Sequence, residues 1–368
     1  MFNTNEFLKQ AYAKGAADIH LRIGKPPSLR ILNDIVRVNL PALSEADFDS
    51  ILRAICQNDN YERVKSSLNA DFAYEIEGIV RFRVNFCHDL GVPKLTMRTI
   101  PYEVPSLEEM AIPASFKHFA RNNNGIILIT GPTGSGKSTT IACMLDYINR
   151  DFSRHIVTVE DPVEFVYKDK KSLITQKQLG VDVANFADGV KYALRQDPDI
   201  ILIGEIRDRE TVETALAAAE TGHLVLSTIH TNSAIQTINR IINMFDEHLK
   251  NFVRERLAIS LRGTIAQKLI PKKTGGRVPA FEVMTVTSTI SDYIKKNELE
   301  KIYPLIQEGG FDNMMTLNSS IYNLLNNGIV EEEHAYRASE NPIELQQMIR
   351  GYYHGVKHRS KNDDIVLD

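Results

Sequence analysis

The run Gly131-Pro-Thr-Gly-Ser-Gly-Lys137-Ser138 constrains this chain more than any other segment of it. It fits the pattern G-x-x-x-x-G-K-S/T in full. An apolar run, Gly125-Ile-Ile-Leu-Ile-Thr130, precedes it, and a helix-forming run, 139–147, follows it. That setting of buried strand, tight loop and helix is the one the pattern requires. With Gly near 7% of residues, the four fixed positions coincide by chance in roughly one chain per hundred of this length. The strand and helix around them make chance a poor explanation.

The chemistry follows from the residue types. Glycine lacks a Cβ, so Gly131, Gly134 and Gly136 let backbone N–H groups turn inward on phosphate oxygens. The start of the following helix adds a dipole that favours negative charge. Lys137, expected in a solvent-open loop, reaches the β- and γ-phosphates, and the Ser138 hydroxyl holds Mg2+. Pro132, Thr133, Ser135 and Thr139 complete the cradle. The implied ligands are ATP and Mg2+.

The surrounding pattern gives an α/β fold. Runs at 155–160, 200–203 and 224–229 repeat the apolar-strand pattern, with helical segments between them. Strands alternating with helices imply a mostly parallel sheet. After Gly263 the chain is expected to be mainly helical, and 357–368 reads as a polar, mobile tail. No internal repeat is visible.

Residues 1–99 read as a smaller α+β domain. A helix over 6–13 stops at Gly15, a C-cap candidate. Asp18-Ile-His-Leu-Arg-Ile23 alternates polar and apolar, the mark of a half-buried strand. Further strands are expected at 28–38 and 72–76, helices at 45–57 and 62–68. Alternating strands at 78–86 and 94–100 close an antiparallel sheet. Ile100-Pro-Tyr-Glu-Val-Pro-Ser106 then breaks the pattern, because proline suits neither a continuing helix nor a central strand. A linker is placed at 100–112 and the nucleotide-binding domain at 113–368.

Hydrolysis needs acids that order Mg2+ and water. Asp199-Ile-Ile-Leu-Ile-Gly-Glu205 is a hydrophobic strand with Glu205 at its C-terminal end, the ligand-binding edge of an open α/β sheet. The second cluster is Val159-Glu160-Asp-Pro-Val-Glu164. Either Glu160 or Glu164 can polarise the attacking water while Glu205 orders the metal, and the reverse assignment stays open. The plain alternative is that strand-end acids cap the next helix. Two such clusters beside one phosphate loop favour the functional reading.

Two histidines flank the strand at 224–229. His230 follows it, at the nucleotide edge, and can sense the γ-phosphate. His223 precedes it, so the two imidazoles sit too far apart to share a metal. Arg207 lies two residues past Glu205, and Arg81, Arg83 and Arg98 are expected along the edge of the N-terminal sheet. Isolated arginines are most often solvated surface charges. A ring-forming ATPase, however, draws cations to the γ-phosphate from other domains or subunits.

Composition narrows the class. A formal net charge of −4, no Trp and no strong basic stripe argue against a nucleic-acid partner. Cys56, Cys87 and Cys143 form no CxxC pair, so neither a zinc ribbon nor a disulfide framework is expected. The amphipathic start, 1–14, lacks the apolar core of a signal peptide, and no apolar run approaches the ~18 residues of a membrane span. A cytoplasmic protein, docked peripherally at a membrane complex, is expected.

With these motifs in order, the chain resembles the secretion ATPases of type IV pili, most closely the retraction ATPases of the PilT/PilU type. The carrying segments include Gly15-Ala-Ala-Asp-Ile-His-Leu21, Arg81-Phe-Arg-Val-Asn85 and Arg98-Thr-Ile-Pro101. The family's Walker A, Asp box, Walker B and His box correspond to the loop at 131–139, Thr158-Val-Glu-Asp-Pro-Val-Glu-Phe165, the run 194–208 and the pair Ala219-Glu-Thr-Gly-His-Leu224 and Ser227-Thr-Ile-His-Thr231. The resemblance implies a PAS-like N-terminal domain and a RecA-like C-terminal domain in a hexameric ring. It implies ATP bound between domains, whose closure moves an inner-membrane platform protein, and a possible paralogous ATPase as a further partner. The zinc-binding cysteines of the extension ATPases are absent, which favours retraction. Thr289-Ile-Ser-Asp-Tyr293 lacks the arginine of the family's Ala-Ile-Arg-type motif, and 335–350 is similar to the accessory paralogue. The alternatives are an ATPase of a related type II/IV secretion or DNA-uptake system, or an accessory nucleotide-binding paralogue.

Overall fold

The computed structural model describes residues 2–31, 34–56, 61–100, 104–113, 115–309 and 312–351. The chain divides into two compact units, Met1–Glu103 and Val104–Asp368. Residues 101–103 of the expected linker and the tail at 357–368 lie outside the described residues.

The first unit is one antiparallel sheet. Its strands are β1 (Ala16–Arg22), β2 (Ser28–Ile31), β3 (Asp34–Arg37), β4 (Asn69–Ile76), β5 (Val80–Asp89) and β6 (Val92–Ile100), in the order β3-β2-β1-β6-β5-β4. Alternation fixes which face is buried. In β5, Val80, Phe82, Val84 and Phe86 are buried, while Arg81, Arg83 and Asn85 face the other way. The buried face packs with Leu8 and Ala11 of helix Thr4–Ala13 and with Phe48, Ile51, Leu52 and Ile55 of helix Glu45–Ile55. A reciprocal Ser44–Asp47 capping box starts the second of these helices.

Two expectations change here. The single strand at 28–38 is two paired strands, β2 and β3. The arginine-bearing strands are not at the edge: β5 and β6 lie inside the sheet, flanked by β4 and β1. Alternation shows which face a residue takes, but strand order is set by pairings distant in sequence.

The second unit is built on a seven-stranded sheet. Its strands are β7 (Gly125–Thr130), β8 (His155–Glu160), β9 (Leu173–Gln178), β10 (Ile200–Ile203), β11 (Leu224–Ile229), β12 (Leu261–Pro271) and β13 (Arg277–Thr285), in the order β13-β12-β7-β11-β10-β8-β9. All neighbours pair in parallel except β12 and β13. Helices cover both faces, which is why the central strands are apolar throughout. Ile127, Ile129, Leu202 and Leu226 pack with helix Lys137–Asp151, whereas Ile126, Leu128, Ile201, Ile203 and Val225 pack on the opposite face, with helices Arg209–Glu220 and Ala234–Ile242.

The stretch after Gly263 is a correction. It continues as the long β12–β13 hairpin, turning at Gly275 and Gly276, both with left-handed φ, before the helices begin. Those helices, Leu317–Asn326, Glu332–Ala338 and Pro342–Ile349, pack on Ile270, Val278 and Ala280 of the hairpin. Among the described residues no helix is long and apolar enough to cross a membrane.

Candidate functional site at the sheet edge

The C-terminal ends of β7, β8, β10 and β11 share one edge, the ligand-binding edge of such sheets. The phosphate loop follows β7, Glu160 ends β8, Glu205 follows β10 and His230 follows β11. Gly131 has φ 146°, and a Cβ there would come within 2.5 Å of Ser135 Oγ. Helix Lys137–Asp151 starts at Gly136 with no side-chain cap. Its first N–H groups therefore remain available to an anion. The tip at Gly134 has nothing within 4 Å of an added Cβ, so the loop is open where phosphates approach.

Lys137 departs from expectation. It is 8% exposed, not solvent-open. Its Nζ donates to the carbonyls of Gly131 at 2.8 Å and Pro132 at 3.0 Å. Burial pushes its pKa down, and the charges of Glu205 and Glu164 oppose that. The ammonium is thus held inside its own loop, within the electrostatic influence of two carboxylates. The side chains of Pro132 and Thr133 are exposed, and Ser138 and Thr139 are half-buried.

The two acid-bearing strand ends close on each other at Gly204. Its N–H donates to Val159 O at 2.8 Å. A Cβ at this position would meet that carbonyl at 3.2 Å and Glu160 Cα at 3.3 Å. Glu160 itself is buried. Its Oε1 accepts from Thr158 Oγ1 at 2.6 Å and from Gln176 Nε2 at 3.1 Å. Desolvation pushes its pKa up, against these bonds and one from the backbone N–H of Glu164. Glu164 is exposed, and among the described residues its carboxylate has no hydrogen-bond or ion-pair partner.

Glu205 is shared between two cationic or donor groups. Its Oε1 lies 3.1 Å from His230 Nε2, and its Oε2 accepts from Arg207 Nε at 2.8 Å. Arg207 also lies 3.7 Å from Asp161. Burial lowers the pKa of His230, the Lys137 charge lowers it further, and Glu205 partly restores it. The neutral imidazole is thereby favoured, and an Nε2–H facing the carboxylate donates to Glu205.

The loop at 131–139, Glu160, Glu164, Glu205, Arg207 and His230 thus meet at one edge. His223 does not. It precedes β11, whose six residues span roughly 20 Å at ~3.3 Å each. There its Nδ1 lies 3.0 Å from Ala218 O and 3.1 Å from Thr221 Oγ1, closing the end of helix Arg209–Glu220. Sequence reasoning missed Thr158 and Gln176. Thr158 was findable, since two residues before Glu160 on a strand is the same face. Gln176 was not, because the polar run of β9, Leu173–Gln178, carries no apolar-strand pattern.

In the first unit the other arginines form a row. Arg30, Asp18, Arg98 and Arg83 are successive register partners across β2, β1, β6 and β5. Arg98 Nε donates to Asp18 at 2.8 Å, and Arg30 lies 3.5 Å from the same carboxylate. Arg81 pairs with Glu75 at 3.7 Å. Arg83 is exposed, directly opposite Arg98, with no ion-pair partner among the described residues. Like charges placed opposite each other on a sheet are destabilising.

Comparison with known proteins places these features in context. Residues 2–288 match the family described as Type II/IV secretion system protein. The chain is 41% identical over 337 residues to the type IV pilus retractation ATPase PilT of Pseudomonas aeruginosa, covering 92% of this chain and 98% of that protein. It is 40% identical over 316 residues to a twitching motility protein of Neisseria gonorrhoeae, covering 86% of this chain and 84% of that one. Among solved structures, the pilus retraction motor PilT with bound ADP superposes with a TM-score of 0.88 at 42% identity, covering 95% of this chain and 100% of that one. This likeness bears out the RecA-like α/β fold expected of the second unit.

Proposed function

Because the chain belongs to the type II/IV secretion system protein family, among its PilT-type retraction ATPases, we propose that it hydrolyses ATP to power type IV pilus retraction, and with it twitching motility. The observation that carries this reading is the convergence of the phosphate loop, Glu164, Glu205 and His230 on one sheet edge. A protein that only bound nucleotide would not need two carboxylates whose charges act on the loop lysine.

ATP is the substrate, seated on the uncapped helix start and the open loop of Gly131 to Thr139. Lys137 exchanges the carbonyls of Gly131 and Pro132 for the β- and γ-phosphates. Mg2+, when bound, neutralises phosphate charge, and Ser138 and Glu205 are the groups that would hold it. One hydroxyl and one carboxylate suit an ion that keeps much of its water and binds substrate phosphates.

Exposure divides the roles of the other two acids. Glu160 is buried and already bonded, so it anchors the turn that carries Glu164. Glu164 is open to solvent and, among the described residues, unpaired. It takes the proton of the attacking water, whose oxygen bonds to the γ-phosphorus as the bond to the β–γ bridging oxygen breaks. ADP and phosphate leave. His230 reports the γ-phosphate through its bond to Glu205, and Arg207, held by the same carboxylate at 2.8 Å, is the cation nearest to it that can serve phosphate.

Arg81, Arg83 and Arg98 supply further positive charge to nucleotide, in this subunit or a neighbour. His223 faces away from its own loop, so any catalytic contribution from it is made to a neighbouring subunit. The assembly is a hexameric ring whose N-terminal units, PAS-like in the family, move an inner-membrane platform protein, with a paralogous ATPase as companion.

The test uses Lys137→Ala in the purified full chain and in cells. Expected are loss of ATP turnover in solution, and excess surface pili with loss of twitching in cells. Wild-type turnover would remove the ATPase reading. Normal retraction in a deletion strain would remove the pilus role and leave a secretion or DNA-uptake motor.

A further inference from the structure

β12 runs beside β7, with Ala266 in register with Thr130, so the next residue stands directly behind the phosphate loop. That residue, Gln267, is 1% exposed. Its Nε2 donates to the carbonyl of Ser135 at 2.7 Å. Its Oε1 accepts from Thr140 Oγ1, also at 2.7 Å. One side-chain amide therefore binds the loop just before Gly136 and the helix just after it begins.

Two of the three loop glycines press on the same residue. A Cβ on Gly136, whose φ is 88°, would come within 2.9 Å of Gln267 Nε2. A Cβ on Gly131 would come within 2.4 Å of Gln267 O. Both ends of the loop are thus packed against one position of β12, 127 residues from Thr140 in the chain.

We propose that Gln267 is a positioning residue for nucleotide binding. It touches no phosphate itself, and it acts by fixing the Ser135–Gly136 joint from which the loop's N–H groups are aimed. The proposal rests on the nucleotide-binding reading above. A primary amide suits the place because it offers a donor and an acceptor in one fixed plane, which neither Glu nor Lys can do. Its two partners are otherwise shut away from water and would be left unpaired. With the joint held, the loop meets its ligand already in shape, and less ordering is lost on binding.

The test measures ADP affinity, steady-state ATP hydrolysis and melting temperature on the full chain. Gln267→Leu keeps the bulk and removes both bonds. Its Kd for ADP and KM for ATP should rise about tenfold, the scale of a broken buried polar pair, with kcat falling less than KM rises. A residue that only filled space would lower the melting temperature and leave KM alone. Thr140→Val keeps shape and removes one bond, so it should raise KM about threefold. The double variant should be no worse than Gln267→Leu, since both changes cut one link. A Gln267→Leu protein with Kd and KM within about twofold of wild type overturns the proposal. If that variant does not fold, an unchanged KM in Thr140→Val overturns it instead. Failure of the wild type to bind ADP would sink the nucleotide reading itself, a separate result.

Discussion

His230 Nε2 meets Glu205 Oε1 at 3.1 Å, across the ends of the neighbouring parallel strands β11 and β10. The bond joins the candidate γ-phosphate sensor to the candidate metal-holding acid. Burial and the charge of Lys137 favour the neutral imidazole, which still has an N–H to donate to Glu205. His230→Ala should lower kcat roughly tenfold, the value of one hydrogen bond to a charged group. His230→Gln, which keeps an N–H donor, should recover part of it. ATP turnover of the two variants, side by side, checks this, and equal losses would show that the bond itself is not what matters.

The two acids of the Glu160–Glu164 turn should separate under conservative substitution. Glu164→Gln removes the exposed base and should cut kcat by about 100-fold or more, with ADP affinity kept. Glu160→Gln still accepts from Thr158 and Gln176, so its loss should stay within about tenfold. Turnover and ADP binding on both proteins decide it. A larger loss in Glu160→Gln than in Glu164→Gln would exchange their roles.

What could be read in the sequence was local. The phosphate loop, Glu160 and Glu205 declare themselves because strand, turn and acid lie within a few residues of each other. The alternation in β5 likewise gives the face of Arg81 and Arg83 directly. What could not be read depends on pairings between distant segments. The interior position of β5 and β6 follows from strand order, and the burial of Lys137 from packing around the loop. Gln267 and Gln176 reach the site from β12 and β9, strands that the pattern reading did not find. Their polar side chains sit in otherwise ordinary runs, and nothing local marks them.

Glu282 on β13 should make the fold sensitive to pH. It is 5% exposed, and burial pushes its pKa up to about 7 from an ordinary 4.5. The bond from Ala234 N–H and the charge of Lys268 oppose this, while Glu340 and Glu344 reinforce it. Between those two pH values the folded chain holds a proton that the unfolded chain has lost. The stability is therefore present in full below the lower value and declines as pH rises through the upper one. The loss is roughly 3 kcal/mol for a shift of this size. Glu282→Gln keeps an acceptor for Ala234 and carries no charge at any pH. Thermal melting at pH 5 and pH 8 should show a smaller fall for this variant than for wild type. The same fall in both proteins would place the pH sensitivity elsewhere, with buried Glu160 the next group to examine.

The last prediction concerns the arginine row of the first unit. Arg98 is tied to buried Asp18, which Arg30 also approaches, but Arg83 faces Arg98 with no counter-charge of its own among the described residues. Opposed like charges repel across a sheet, and Asp18 offsets only the Arg98 side of this pair. An anion arriving during function would relieve that repulsion. If that anion is the nucleotide's phosphate, Arg83→Ala should leave the melting temperature unchanged or slightly higher. ADP affinity should stay within about threefold, because the phosphate loop supplies most of the binding, while ATP turnover falls about tenfold or more. Arg98→Ala should lose turnover too, but it also strips Asp18 of its closest partner and should lower the melting temperature. The contrast between the two variants is the informative result. Full turnover in Arg83→Ala would make the row a surface feature, and a lowered melting temperature there would mean that the opposed charges are held by partners that stabilise them.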